Sequence, residues 1–149
     1  MAQKGVYAFK NDDAPTDKPY RVDDWVAYNL VRDIGAVKEA RDFGVMIHDV
    51  KPEGIVPGEK IHTHFMQETL YMVLSGRLII SVEGTDYEMG PDTSMWIKHG
   101  IQHGFTKVLE HARVIEIATR PDIMTDAVGA DKPYDEEYPQ PRPLVVVDK

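Results

Sequence analysis

What most constrains the fold is the way this chain is punctuated: short apolar or alternating segments recur along it, separated by Gly, Pro and Asp. Gly44 to Val50 is one such segment. Ile61 to Phe65 follows the Pro57-Gly58 turn, and Thr69 to Ser75 runs to Gly76. Arg77 to Glu83 places Leu78, Ile80 and Val82 on one face and ends at Gly84 as a hairpin. Ser94 to Ile97, Gln102 to Lys107 and Ala112 to Thr119 complete the set. Strands this short, with turn signals between them, predict an all-β sandwich or barrel. Trp25 to Val31 fits two templates, a strand or a helix with Val26, Leu30 and Ile34 on one face. Ala36 to Arg41 reads as a short helical turn.

A chain of 149 residues is one domain's worth, and at this size about two-thirds of the unfolded surface can be buried. Three regions differ in texture. Residues 1–21 hold turn-formers such as Asn11, Asp12, Asp13, Pro15, Asp17 and Pro19 and read as an N-terminal arm. Residues 22–119 form the body. Residues 120–149 are rich in Pro and acids and end in Leu144-Val145-Val146-Val147, an apolar end that predicts packing on the barrel or on a neighbouring subunit. The formal net charge of −8 repels phosphate backbones and anionic lipid, which argues against nucleic acid and membrane surfaces as partners. With no cysteine there is no disulfide, thiolate metal site or Cys nucleophile. No apolar run approaches the length of a spanning helix or a signal peptide, so a cytoplasmic protein is expected.

The chemistry concentrates in His62-Thr63-His64-Phe65-Met66-Gln67-Glu68. Side chains two apart on a strand share a face, so His62 and His64 converge. Glu68 opens the next strand, and His103 sits on a later one. Three imidazoles and a carboxylate suit a divalent first-row ion such as Fe, Mn, Ni, Zn or Cu. Four protein ligands on an octahedral ion leave two positions for water or substrate.

At these residues the chain resembles the cupin superfamily of small β-barrels. Their first motif ends in His-x-His, three or four residues, Glu and then Gly; their second carries Pro-x-Gly-x-x-His. His62, His64, Glu68, Gly76, Gly100 and His103 fall into that pattern, and Tyr71-Met72-Val73-Leu74-Ser75-Gly76-Arg77 is similar to the strand and turn after the Glu. The resemblance covers about residues 44–119. It implies a single-domain, jelly-roll-like cupin β-barrel holding one divalent metal ion per chain. Its spacings depart from the pattern. Seven residues separate Glu68 from Gly76 where the family usually has six, and Lys98 stands where the Pro is usual. The extra residue predicts a bulge between Glu68 and Val73; a regular strand set by Gly76 would instead turn Thr69 to the metal and Glu68 away.

Polar residues that interrupt apolar strands are further candidates. Tyr71 is read either as a general acid or base near the metal or as a core tyrosine. His48, Met72, Gln102, Phe105 and Glu116 are candidates for a substrate pocket or for orienting a ligand imidazole from behind. Met46, Met66, Met72, Met89 and Met95 either line an apolar pocket or fill core gaps. His99 and Lys98 are expected in solvent.

The expected function is that of a metal-dependent enzyme acting on a small oxygenated metabolite whose carbonyl, enol or carboxylate is chelated at the metal. A non-haem Fe(II) dioxygenase is preferred, because free cis positions accommodate O2 and substrate together. A lyase, decarboxylase or isomerase using the metal as a Lewis acid is the alternative, and a non-catalytic metabolite-binding cupin the third reading. Strand edges left by an open barrel must be covered, so a homodimer is expected, with the arm or the tail reaching the neighbour.

Overall fold

The structure is a computed structural model that describes residues 5–17, 24–32, 35–40, 42–54, 61–64 and 66–119, and the backbone of 127–129. Its strands are β1 (Thr16–Asp17), β2 (Trp25–Val31), β3 (Phe43–Val50), β4 (His62–His64), β5 (Thr69–Val82), β6 (Thr85–Met89), β7 (Thr93–Ile97), β8 (His103–Thr119) and β9 (Ala127–Gly129). Two single turns of 3-10 helix, Asn11–Asp13 and Pro52–Gly54, complete the elements, and there is no α-helix among the described residues. Among the described residues, therefore, no helix is long and apolar enough to cross a membrane.

Trp25–Val31 is a strand. Trp25, Ala27 and Asn29 are buried and the residues between them half-buried, which is period two. The helical alternative loses because the backbone is committed to β3 from Trp25↔Val50 to Val31↔Val45. The short helix expected at Ala36 to Arg41 is absent over 36–40; Val37 instead makes an isolated bridge to Val31. Arg41 lies outside the described residues, as do the Pro57-Gly58 turn, Phe65 and the Leu144 to Val147 end.

The break expected at Gly76 is a kink inside a continuous strand. Gly76 has φ +74, and a Cβ there would lie 2.0 Å from the His111 carbonyl oxygen. Only glycine tolerates both that backbone conformation and that approach. The N-terminal half of β5 pairs with β7, from Thr69↔Ile97 to Val73↔Thr93, and the C-terminal half pairs with β6 through the Gly84 hairpin. β8 is the matching long strand. Its C-terminal half pairs with β3 and with the first half of β5, and its N-terminal half with the second half of β5 and with β4. Register shifts cluster where the two long strands bend together, from Val73 to Ile80. Extra residues in one partner increase local twist, which lets both strands pass from one layer to the other.

The result is an antiparallel jelly roll. The strand path β1-β2-β3-β8-β4-β9 does not return on itself, so the layers form a sandwich and not a sealed barrel. Between them lies a core that includes Trp25, Val50, Val73, Leu78, Ile80, Phe105 and Val114. On the outer face the described part of the arm is pinned. Ala14 packs with Leu30 and Ile47, and Pro15 accepts hydrogen bonds from the Asn29 backbone (2.8 Å) and side chain (3.2 Å). At the other end β9 pairs with β4, Thr63↔Val128 at its centre.

Candidate metal centre

β4 and the start of β8 are adjacent, and His62 and His103 are direct cross-strand partners. His64 follows two residues after His62 on the same face. The turn before His103 is fastened to this strand: Gly100 donates its N–H to the His64 carbonyl at 2.7 Å, at φ +80. Each of His62, His64 and His103 thus offers a ring nitrogen within 4.8 Å of the other two. His62 Nε2 stands 3.2 Å from His64 Nε2.

His62 is half-buried, while His64 and His103 are each 2% exposed. Burial, and then the charge that His62 can carry, hold His64 down to about 3; the Glu116 charge opposes this and that of His103 adds to it. Burial and His62 hold His103 down to about 4, against the Ile101 hydrogen bond and Glu116. Both rings are therefore neutral at pH 7, the form that binds metal. His103 Nδ1 is 2.9 Å from the Ile101 carbonyl oxygen, so that nitrogen carries the hydrogen and donates it. Its Nε2 is buried without a hydrogen-bond partner among the described residues. A buried acceptor left open in this way fits a metal ligand, and so does the donor set of three neutral imidazoles.

Glu68 does not join the three histidines. β5 keeps one register from Thr69↔Ala118 to Val73↔Val114, and the Thr119 N–H donates to the Glu68 carbonyl at 3.0 Å, which extends that register by one residue. No bulge lies between Glu68 and Val73; the first shift comes after Val73. With an unbroken period of two, Thr69, Tyr71 and Val73 face inward, at most 2% exposed, and Glu68 projects to the other face. The alternative register set by Gly76 is the one adopted. Gln67, also buried, donates from Nε2 to Thr69 Oγ1 at 3.3 Å, and counting inward positions back from Thr69 would have found it.

The other candidates divide. Tyr71 is inward, its ring centre 6.0 Å from that of His103 and 5.2 Å from that of Phe105. Burial, then the Glu116 charge, push its hydroxyl well above the usual tyrosine value, so it keeps its proton. Phe105 stacks on Trp25 at 5.6 Å and meets the His48 ring edge-on at 5.4 Å. His48 and Glu116 are buried together, with His48 Nε2 2.7 Å from Glu116 Oε1. Trp25, which the sequence offered only as the start of a strand or helix, donates its indole N–H to His48 Nδ1 at 2.9 Å.

Met72 is excluded from this interior, because it pairs with Ile115 on the opposite face of the sheet. Gln102 sits at the rim, where its N–H donates to the Glu83 carboxylate (2.7 Å) and its carbonyl accepts from the Glu83 N–H (2.9 Å). The methionines do not line one pocket: Met46 packs with Ala27 and Ala118, while Met89 belongs to the main core. Lys98 and His99 are exposed, as expected.

Residues 46–117 match the family model described as a cupin domain. This is a cupin. Among solved structures the chain is similar to the polyketide cyclase RemF from Streptomyces resistomycificus, at 19% identity and TM-score 0.68 over 90% of this chain and 89% of that one. It is similar to Pac13, described as a nucleoside dehydratase, at 9% identity and TM-score 0.63 over 84% and 91%. It is also similar to HppE carrying Fe(II), at 23% identity and TM-score 0.60 over 79% of this cupin and 62% of that chain. At these identities the likeness shows the fold alone. Among curated proteins, none matches this cupin in sequence.

Proposed function

We propose that this cupin binds one divalent metal ion per chain at His62, His64 and His103 and catalyses a non-oxidative proton-transfer reaction, of the lyase or isomerase type, on a small oxygenated metabolite. The observation that carries this reading is the triad of closely spaced imidazoles, two of them held neutral by burial, faced by a tyrosine that burial keeps protonated. A bound divalent ion would supply Lewis acidity toward a carbonyl or enol oxygen. The chain would do the rest. Phe105 and the Trp25 ring keep water from the inner wall, and Tyr71 stands beside His103 as a proton donor. Titratable groups pushed apart in pKa within one interior are the pattern of acid–base chemistry.

A second reading, the non-haem dioxygenase, is favoured by the likeness to HppE with its Fe(II) and by the coordination positions that three protein ligands leave open. The experiment that separates them measures the metal content of protein purified from minimal medium, then turnover of a panel of small carbonyl compounds with and without O2. Anaerobic turnover supported by Zn or Ni supports the proton-transfer reading. Turnover that requires Fe(II) and consumes O2 would replace it with the dioxygenase.

A further inference from the structure

Glu116 is a carboxylate in a place that ordinarily refuses one. It lies on the inner face of β8, 4% exposed, in cross-strand register with Tyr71. Its Oε1 receives the hydrogen bond from His48 Nε2 at 2.7 Å, while Oε2 takes no hydrogen bond among the described residues. The direction of the His48 bond is fixed from behind. Indole N–H only donates, so His48 Nδ1 must accept from Trp25, and Nε2 must then carry the hydrogen it gives to Glu116. Phe105 and Trp25, which stack on each other and both meet the His48 ring edge-on, hold it in that orientation.

Burial would push the Glu116 carboxyl up. The His48 hydrogen bond leads the effects that outweigh it and leave the group below the usual carboxylate value. An apolar residue would serve a core position with less desolvation. A buried anion with one oxygen uncommitted, on the wall that faces the imidazoles, is arranged to receive something.

We propose that Glu116 is the proton acceptor of this site, and that His48 and Trp25 are positioning residues that aim it. The proposal rests on the metal reading above. The ligand it implies is a neutral, weakly acidic small molecule with an O–H or a C–H beside a carbonyl. On binding at the triad, that O–H or C–H bond breaks, its electron pair stays on the ligand oxygen or enters the enolate, and the proton passes to Glu116 Oε2.

The test uses the zinc-loaded protein and acetohydroxamic acid, a chelator that is protonated in neutral water and binds metal as its anion. Titration calorimetry at pH 7 in two buffers of different ionisation heat counts the protons released. Wild type should release almost none, because in the complex the chelator's anion beside Oε2 raises the Glu116 carboxyl far above its resting value and the carboxyl keeps the proton, whereas Glu116→Gln should release close to one per chelator. The variant should bind about 10–100-fold more weakly with zinc content unchanged. The groups facing Glu116 whose own titration must be matched are His48 on β3, His62 and His64 on β4, Tyr71 on β5 and His103 on β8. His48→Gln should keep the wild-type proton count, since its amide can accept from Trp25 and donate to Glu116, and His48→Leu should lose it. Those two variants and the wild-type count decide the matter if Glu116→Gln does not fold. Full proton release by wild type, or an identical count in Glu116→Gln, overturns the role of Glu116 and leaves the metal reading standing. Failure of wild type to take up zinc overturns both.

Discussion

Acidification should unfold the metal-free protein through two identified side chains. In the unfolded chain a histidine titrates at the ordinary 6.5, whereas the fold holds His64 to about 3 and His103 to about 4. As pH falls below 6.5 the unfolded chain takes up protons that the native state refuses. Stability is therefore full above that value and is lost progressively toward pH 4 and 3. Between pH 7 and 5 each of the two rings goes from about one-quarter to almost wholly protonated in the unfolded chain and stays almost unprotonated in the native one, which costs about 2 kcal/mol per histidine. The pair together remove about 4 kcal/mol, a large share of the 5–15 kcal/mol that holds an ordinary domain. Glu116 works in the other window: held below its ordinary 4.5, it contributes stability that persists at pH 5 and is lost only on further acidification. Urea denaturation of the metal-free protein at pH 7 and pH 5, followed by tryptophan fluorescence, reads the difference directly. His64→Gln cannot take up the proton and should lose about half of the pH dependence. Equal unfolding free energies at the two pH values, or a full slope in the His64→Gln/His103→Gln double variant, would refute the reasoning.

His62→Ala or His103→Ala should leave the protein without bound metal after dialysis, while Glu68→Gln, altered on the opposite face, should retain it; metal analysis giving the reverse would sink the triad assignment. Gly76→Ala should destabilise the fold by more than about 4 kcal/mol in a thermal or urea melt, because the new Cβ meets the His111 carbonyl oxygen at 2.0 Å and the φ is +74; a loss below 1 kcal/mol would mean that the two long strands separate freely. Tyr71→Phe should fold and bind metal as wild type, since its hydroxyl holds no hydrogen bond among the described residues, yet lower turnover by about 10²–10⁴-fold; an effect under about threefold would make it a core residue. Sedimentation at micromolar concentration should give the expected homodimer, supported by the open groove beside exposed Trp96 and Tyr87 on β7 and β6, and a monomer would overturn that expectation.

Strand identity and the convergence of His62 with His64 were legible in the sequence because both follow from a local rule, the alternation of side chains along an extended backbone. The same rule and the two-part His motif sufficed for the cupin fold, and for His103 as the third imidazole. Gly76 was legible as a special position but not as a kink, since a turn and a bend within a strand ask for the same positive φ. Whether Glu68 or Thr69 faces inward was undecidable locally: it depends on register against β8, and a slip of one residue reverses every side chain on the strand. Met72 and Met46 went to opposite faces for the same reason. Trp25, His48 and Glu116 are far apart in the chain, on β2, β3 and β8, and no spacing connects them. Their relay exists because three neighbouring strands bring those residues into the same interior, where a buried donor and a buried carboxylate must find partners or be expelled.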